Sequence, residues 1–331
     1  MLAAVTEARI DTSSPAFFQT AAPDFEDPAA ELRRGIAAPR AQIPPWYLYD
    51  VTGSRLFDVI TELPEYYTTR TEASLLEQHG AAMAAARDVH GSTMIDLGAG
   101  SCEKAPKLFG VVEPRQYVPV DISVDYLRDV LHKLQNEYPQ IEMIGVGTDF
   151  SQELVLPAPV RSDRRLFFYP GSSIGNFEPD HARAFLEQVR DQMGDDGTLW
   201  IGIDLVKDVD TLERAYDDEL GVTAAFNRNL LRNVNEAAGT DFVPRQWRHV
   251  ARFDEPLSRI EMLLEAVEDV DVSWPGGGRR FAAGERIHTE SSYKYTPDTF
   301  RKLLRSAGLD AVDLWTDDRG WFAFFVARPA A

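Results

Sequence analysis

The decapeptide Ile95-Asp96-Leu97-Gly98-Ala99-Gly100-Ser101-Cys102-Glu103-Lys104 runs an apolar segment into a Gly-x-Gly loop. A strand that ends this way lets a ligand touch bare backbone at the carboxyl edge of a sheet. The loop lacks the third glycine of a dinucleotide fingerprint and the Gly-Lys-[Ser/Thr] ending of a phosphate loop. Asp96 and Glu103 flank it, so a pyrophosphate would meet anions. A ligand with an adenosine and a cationic centre but no phosphate suits that charge pattern, and S-adenosylmethionine is such a molecule. Asp121, about 20 residues past the loop, is placed to grip ribose hydroxyls. Asp149-Phe150 offers a carboxylate to an adenine amino group and a ring to its face. Cys102 either packs as a small residue or, at a helix N-terminus, carries a lowered pKa.

These residues need strands that end beside one another, and the pattern supplies them. Thr93–Leu97, Gln116–Val120, Ile141–Val146, Leu166–Tyr169 and Thr198–Leu205 read as buried strands. Cys102–Phe109, Asp125–Asn136 and Asp180–Met193 read as the helices between them. Such alternation implies an α/β fold with a parallel sheet, doubly wound by right-handed crossovers. After Leu205 the rhythm changes. Thr211–Glu219 and Val222–Ala237 have helical spacing; Trp247–Phe253, Arg259–Val272 and Glu285–Tyr295 read as strands, with a loop at Trp274–Gly278. Thr296-Pro297-Asp298 starts a helix, and Leu309–Leu314 and Trp321–Ala327 close the chain as strands. Residues 1–45 read as a loose arm with a short helix near Asp27–Ala38, and Trp46–Tyr67 as an aromatic pocket wall among turns. The expected units are 1–70 as part of a substrate lobe, 71–206 as the core, 207–295 as an inserted substrate lobe, and 296–331 as the end of the core.

Charge narrows the partners. With 34 Lys+Arg against 53 Asp+Glu, the 331-residue chain carries 34 − 53 = −19. Nucleic acid and anionic membrane both draw on Lys and Arg, so neither is expected as a partner. The single cysteine excludes a Cys-based zinc cluster, and the six histidines show no ligand spacing, so no metal is expected. No apolar run long enough for a membrane span occurs. The expectation is a cytoplasmic monomer acting on a small molecule.

Five motifs together point to one family: Leu63–Glu72; Asp96–Lys104; Phe168–Phe177; Ala215–Asp218 with Thr223–Asn227; and Ile287-His288-Thr289-Glu290-Ser291-Ser292. From Pro44 onward the chain resembles the L-histidine Nα-methyltransferases of ergothioneine biosynthesis. The resemblance implies a Rossmann-like class I methyltransferase core with a second α+β substrate-binding lobe. It implies three methyl transfers from S-adenosylmethionine to the histidine α-amine, giving hercynine. Gly98, Lys104, Asp121, Asp149 and Phe150 match the family's cofactor positions. Tyr66, Asn176 and Tyr216 match residues that hold the amine and carboxylate. Glu290 and Ser292 match the imidazole readers, and Met262 a residue beside that ring. Tyr49 and Phe57 match aromatics of the same pocket, with Asn176 and Tyr49 the expected catalytic residues. One departure is Ala105 after Lys104, where the family's loop commonly ends in threonine.

The chemistry is consistent with those roles. In-line attack on a sulfonium methyl depends on positioning of the reactants. The amine must be unprotonated, so neutral Asn and Tyr groups suit it better than a carboxylate would. Tyrosine faces stabilise the growing quaternary cation. Plainer roles remain open at this level: Asn176 as a cap for the next helix, Tyr216 as an amphipathic-helix residue, Glu290 as a solvent-facing strand residue, His288 as a packed or exposed one. The competing functions are Nα-methylation of tryptophan or another amino acid and, in a different class, a non-catalytic S-adenosylmethionine-binding module.

Overall fold

The computed structural model describes residues 14–19, 27–122 and 124–330. The chain enters through strand β1 (Ala16–Gln19), helix α1 (Pro28–Ala37), the two-residue strand β2 (Ala41–Gln42) and helices α2 (Val51–Glu62) and α3 (Tyr67–Arg87). The alternating region follows: β3 (Thr93–Leu97), α4 (Phe109–Val112), β4 (Gln116–Asp121), α5 (Val124–Glu137), β5 (Glu142–Gly147), β6 (Arg165–Tyr169), α6 (Pro179–Met193) and β7 (Thr198–Asp204). Next come α7 (Val209–Arg214), α8 (Val222–Ala238), β8 (Trp247–Asp254), β9 (Arg259–Ala266), β10 (Val270–Trp274), β11 (Gly277–Phe281) and β12 (Arg286–Tyr293). Helix α9 (Pro297–Ser306) and strands β13 (Leu309–Thr316) and β14 (Phe322–Pro329) end it.

Strands β3 to β7 are apolar on both faces because both faces are covered. Ile95 and Leu97 of β3 join a cluster with Phe185 and Leu186 of α6 and Phe300 of α9. Met94, just before Ile95, joins Leu75 and Met83 of α3 and Leu127 of α5 on the opposite side. The sheet has eight strands in the order β1-β5-β4-β3-β6-β7-β14-β13. It is doubly wound and Rossmann-like. It is mixed rather than wholly parallel, since β14 runs antiparallel to both β7 and β13. A tight hairpin joins β13 to β14, and a hairpin cannot return a strand parallel.

A second core joins the segments that precede and follow the alternating region. Leu32 and Ile36 of α1, Ile60 of α2, Phe226 and Leu230 of α8, and Met262, Leu264 and Ile287 of the smaller sheet pack as one cluster. That sheet has four strands, ordered β2-β12-β9-β8.

Several expectations change. Residues 1–13 and 20–26 of the expected loose arm lie outside the described residues. Ala16–Gln19 pairs in parallel with β5 of the large sheet, so the N-terminal segment does not belong wholly to the substrate lobe. A Cβ on Gly145 would stand 2.8 Å from the Phe17 ring, so the glycine makes room for that edge strand. The aromatic stretch expected among turns contains a full helix, α2, capped by Asp50 through the Gly53 N–H at 2.7 Å. The helix expected over Cys102–Phe109 begins late: Gly98, Gly100 and Cys102 have φ of 67°, 51° and 53°, and helical backbone starts only with the single turn Ala105–Leu108, which runs into α4. Arg259–Val272 is two strands, and the glycine loop after Trp274 is the turn of the β10–β11 hairpin. Helix α7 stops at Arg214, short of Tyr216. Among the described residues no helix is long and apolar enough to cross a membrane.

Candidate active site

The adjacent carboxyl ends of β3, β4 and β5 gather the cofactor candidates. A Cβ on Gly98 would lie 3.7 Å from the Phe150 ring, whereas one on Gly100 would meet nothing within 4 Å. Bare backbone thus borders an aromatic ring at one glycine and open space at the next. Asp121 Oδ2 accepts the Gly100 N–H at 2.9 Å and Oδ1 the Ile122 N–H at 2.7 Å, tying the carboxylate to the loop. Asp149 Oδ1 accepts from the Ser151 N–H at 3.1 Å. Two glycines free of side chains, two carboxylates for hydroxyl and amino groups and one ring suit S-adenosylmethionine. Lys104 points elsewhere: its Nζ is 2.6 Å from Glu72 Oε2, which is buried. Glu72 Oε1 also accepts the Gly171 N–H at 2.5 Å, so this carboxylate fastens the glycine loop to the segment after β6. Cys102 is buried, and desolvation with the nearby Asp96 pushes its thiol up to about 12, the reverse of an activated cysteine.

The substrate-side candidates surround one pocket at the junction of the two cores. Tyr49, Phe57, Tyr66, Asn176, Tyr216, Met262, Glu290 and Ser292 all line it; the five cofactor candidates do not. Tyr49 follows the single turn Pro45–Leu48, Phe57 lies on α2, and Tyr66 begins α3. Phe57 meets Tyr49 and Tyr66 edge-on at 5.7 and 6.1 Å, and Tyr66 meets Tyr216 at 6.1 Å. The result is a continuous aromatic wall.

Asn176 ends the turn Ser173–Asn176 after β6. It does not cap α6, whose cap position is Glu178; its Nδ2 donates to Glu290 Oε1 at 3.4 Å. Glu290 is buried rather than solvent-facing. A β-bulge sets its direction: Leu263 pairs with His288 and Met262 with Glu290, leaving Thr289 extra. Regular alternation would aim His288, Glu290 and Ser292 the same way. The bulge instead turns Glu290 and Ser292 into the pocket beside Met262, while His288 bonds Ser291 on the other face at 3.0 Å.

On the pocket wall lies a buried ionic group that the sequence reading passed over. Asp204, at the end of β7, pairs with Lys207 at 2.5 Å and Lys294 at 2.8 Å. It also accepts the Tyr67 hydroxyl at 2.7 Å. The two ammonium groups hold the Asp204 carboxyl below the ordinary range despite its burial. Burial lowers Lys207 to about 8, whereas Asp204 keeps Lys294 above its ordinary value. Burial raises Glu290 to about 7, with Lys294 pulling the other way. Tyr49 and Tyr66 are raised by desolvation and stay neutral. His249 supports Tyr216 from behind: its Nε2 donates to the Tyr216 carbonyl at 2.8 Å and its Nδ1 accepts from Asn227 at 2.9 Å. The available signals were weak. Lys294 continues the face of Glu290 and Ser292 two residues on, and Asp204 ends a strand as Asp121 does.

Comparison with known proteins agrees with this geometry. A family model described as histidine-specific methyltransferase, SAM-dependent, matches residues 28–329. The chain is 40% identical over 303 residues to a histidine N-alpha-methyltransferase of Mycolicibacterium smegmatis, covering 90% of this chain and 93% of that one. It is 39% identical to the histidine N-alpha-methyltransferase of Mycobacterium tuberculosis, with the same coverage. Ergothioneine biosynthesis protein 1 of Neurospora crassa is 32% identical across 83% of this chain, which spans 32% of that longer protein.

Proposed function

The chain belongs to the histidine-specific, S-adenosylmethionine-dependent methyltransferases, and we propose that it methylates the α-amino nitrogen of L-histidine three times, giving hercynine. One observation carries the side-chain assignment: Glu290 and Ser292 project from one bulged strand into a pocket whose wall also carries the rings of Tyr49, Phe57, Tyr66, Tyr216 and Phe226. A neutral imidazole has one N–H donor and one acceptor nitrogen. Glu290, ionised above about pH 7, accepts the first, and the Ser292 hydroxyl serves the second.

On the same pocket wall, Asn176, whose amide reaches Glu290, and the hydroxyls of Tyr66 and Tyr216, the latter shared with Ser292, orient the carboxylate and amine. None of the three is an anion, so the amine stays free to lose its proton to solvent and attack as a neutral nucleophile. S-adenosylmethionine, when bound, supplies an electrophilic methyl on a sulfonium centre. Gly98, Asp121, Asp149 and Phe150 would hold it, while Lys104 acts through Glu72 to keep the glycine loop in place. The faces of Tyr49 and Tyr66 stabilise the cation as methyl groups accumulate. Positioning supplies most of the rate, as in other two-reactant displacements.

The described parts of 1–70 beyond Gln19, together with 207–295, serve as the substrate lobe. We further propose that the enzyme works as a cytoplasmic monomer on the free amino acid. The charge of −19 supports a small-molecule substrate over nucleic acid. Incubation of the protein with S-adenosylmethionine and each amino acid, read by mass spectrometry, tests the proposal. Trimethylated histidine is the expected product; a product stalled at one methyl, or turnover of tryptophan without histidine, overturns it.

A further inference from the structure

Lys294 follows Ser292 by two residues and is 3% exposed. Its Nζ is 2.8 Å from Asp204 Oδ2, 2.9 Å from the Tyr216 hydroxyl and 2.8 Å from Ser292 Oγ. An ammonium has three hydrogens and no acceptor site. All three are therefore spent inside the protein, and none is left for a substrate. The Tyr216 and Ser292 hydroxyls are themselves 2.8 Å apart. Each brings one hydrogen, and each already accepts from Lys294. One hydrogen makes the bond between them, and the other remains to be donated into the pocket. Where Tyr216 donates to Ser292, both serine lone pairs are taken and Ser292 is left purely as a donor.

We propose that Lys294 is a positioning residue for specificity: it turns the Tyr216–Ser292 hydroxyl pair into a hydrogen-bond donor that complements the acceptor Glu290. Only a ring with one donating and one accepting nitrogen uses both. An indole offers a donor alone, and a thiophene offers neither. The inference rests on histidine being the substrate, and it adds to that reading the reason the ring nitrogen without hydrogen is recognised. Asp204 anchors the ammonium, and after removal of Lys294 it still has Lys207 at 2.5 Å as a one-to-one partner. The substitution therefore leaves Asp204 paired, while Glu290 loses the ammonium that pulls its carboxyl down.

The test compares wild type with Lys294→Met and Lys294→Gln. Calorimetry in the presence of S-adenosylhomocysteine gives Kd for L-histidine and for 3-(2-thienyl)alanine, a ring of similar size without nitrogen. Binding of S-adenosylhomocysteine itself reports that each variant is folded. Lys294→Met should weaken histidine relative to thienylalanine by about tenfold or more, and Lys294→Gln, which donates without a charge, by about threefold or more. For histidine turnover, KM should rise more than kcat falls, because the contact is made equally before and during reaction. An unchanged ratio in either folded variant, equal losses on both ligands, or a fall in kcat with KM constant overturns the proposal. Wild-type protein that binds no histidine would instead overturn the substrate reading on which it rests.

Discussion

At the edge of the eight-stranded sheet, Asp121 holds the backbone amides of Gly100 and Ile122, beside glycines of positive φ. At the pocket wall, Asp204 is completely buried and holds two ammonium groups and a phenol. Both are aspartates that end a strand of the same sheet. The first shapes a partly exposed loop, where water compensates for much of what is lost when a contact is removed. The second compensates charges that have no access to water. One kind of residue in one kind of position therefore shapes a binding ledge in one place and maintains structural integrity in the other.

The contrast implies that the same substitution has different readouts. Asp204→Ala leaves Lys207 and Lys294 buried without their anion and should cost about 3–5 kcal/mol of stability in urea denaturation. A loss below about 1 kcal/mol would mean that water reaches both lysines, and the two regions would then be alike. Glu290→Ala should lower kcat/KM for histidine by about 1.5–3 kcal/mol, roughly ten- to a hundredfold, with phenylalanine turnover unaffected. Equal losses on both substrates would take Glu290 out of side-chain recognition. Asp121→Ala should weaken S-adenosylmethionine by about 1.5–3 kcal/mol in calorimetry while stability changes by less than about 1 kcal/mol. Unchanged cofactor affinity would leave Asp121 with only its loop contacts.

A further effect is a pH dependence of stability. Glu290 is raised from 4.5 to about 7 in the folded chain, so the native state holds its proton more tightly than the unfolded state does. Its ionisation therefore lowers stability as pH rises from about 4.5 through 7, with the whole penalty present above that range. Glu290→Gln cannot ionise. Relative to wild type it should gain up to about 3 kcal/mol between pH 4.5 and pH 8, followed by thermal unfolding across that range. Parallel stability curves would show that folding does not raise the Glu290 carboxyl.

Strands β3 to β7 and the glycine loop could be read along the chain because their signals are local. Buried strands are apolar throughout, glycines mark the positive φ, and carboxylates follow at strand ends. The family resemblance likewise named eight of the residues that line the pocket. Linear reading failed where neighbours in space are distant in sequence. Asp204 and Lys294 are unremarkable apart and meet only when β7 and the end of β12 lie side by side. Glu72 is one more helical carboxylate until Lys104 and Gly171 close on it. The direction of Glu290 was also invisible, because alternation along β12 aims it with His288. One extra residue opposite β9 reverses that choice, and a bulge is a property of the pairing between two strands rather than of either strand alone.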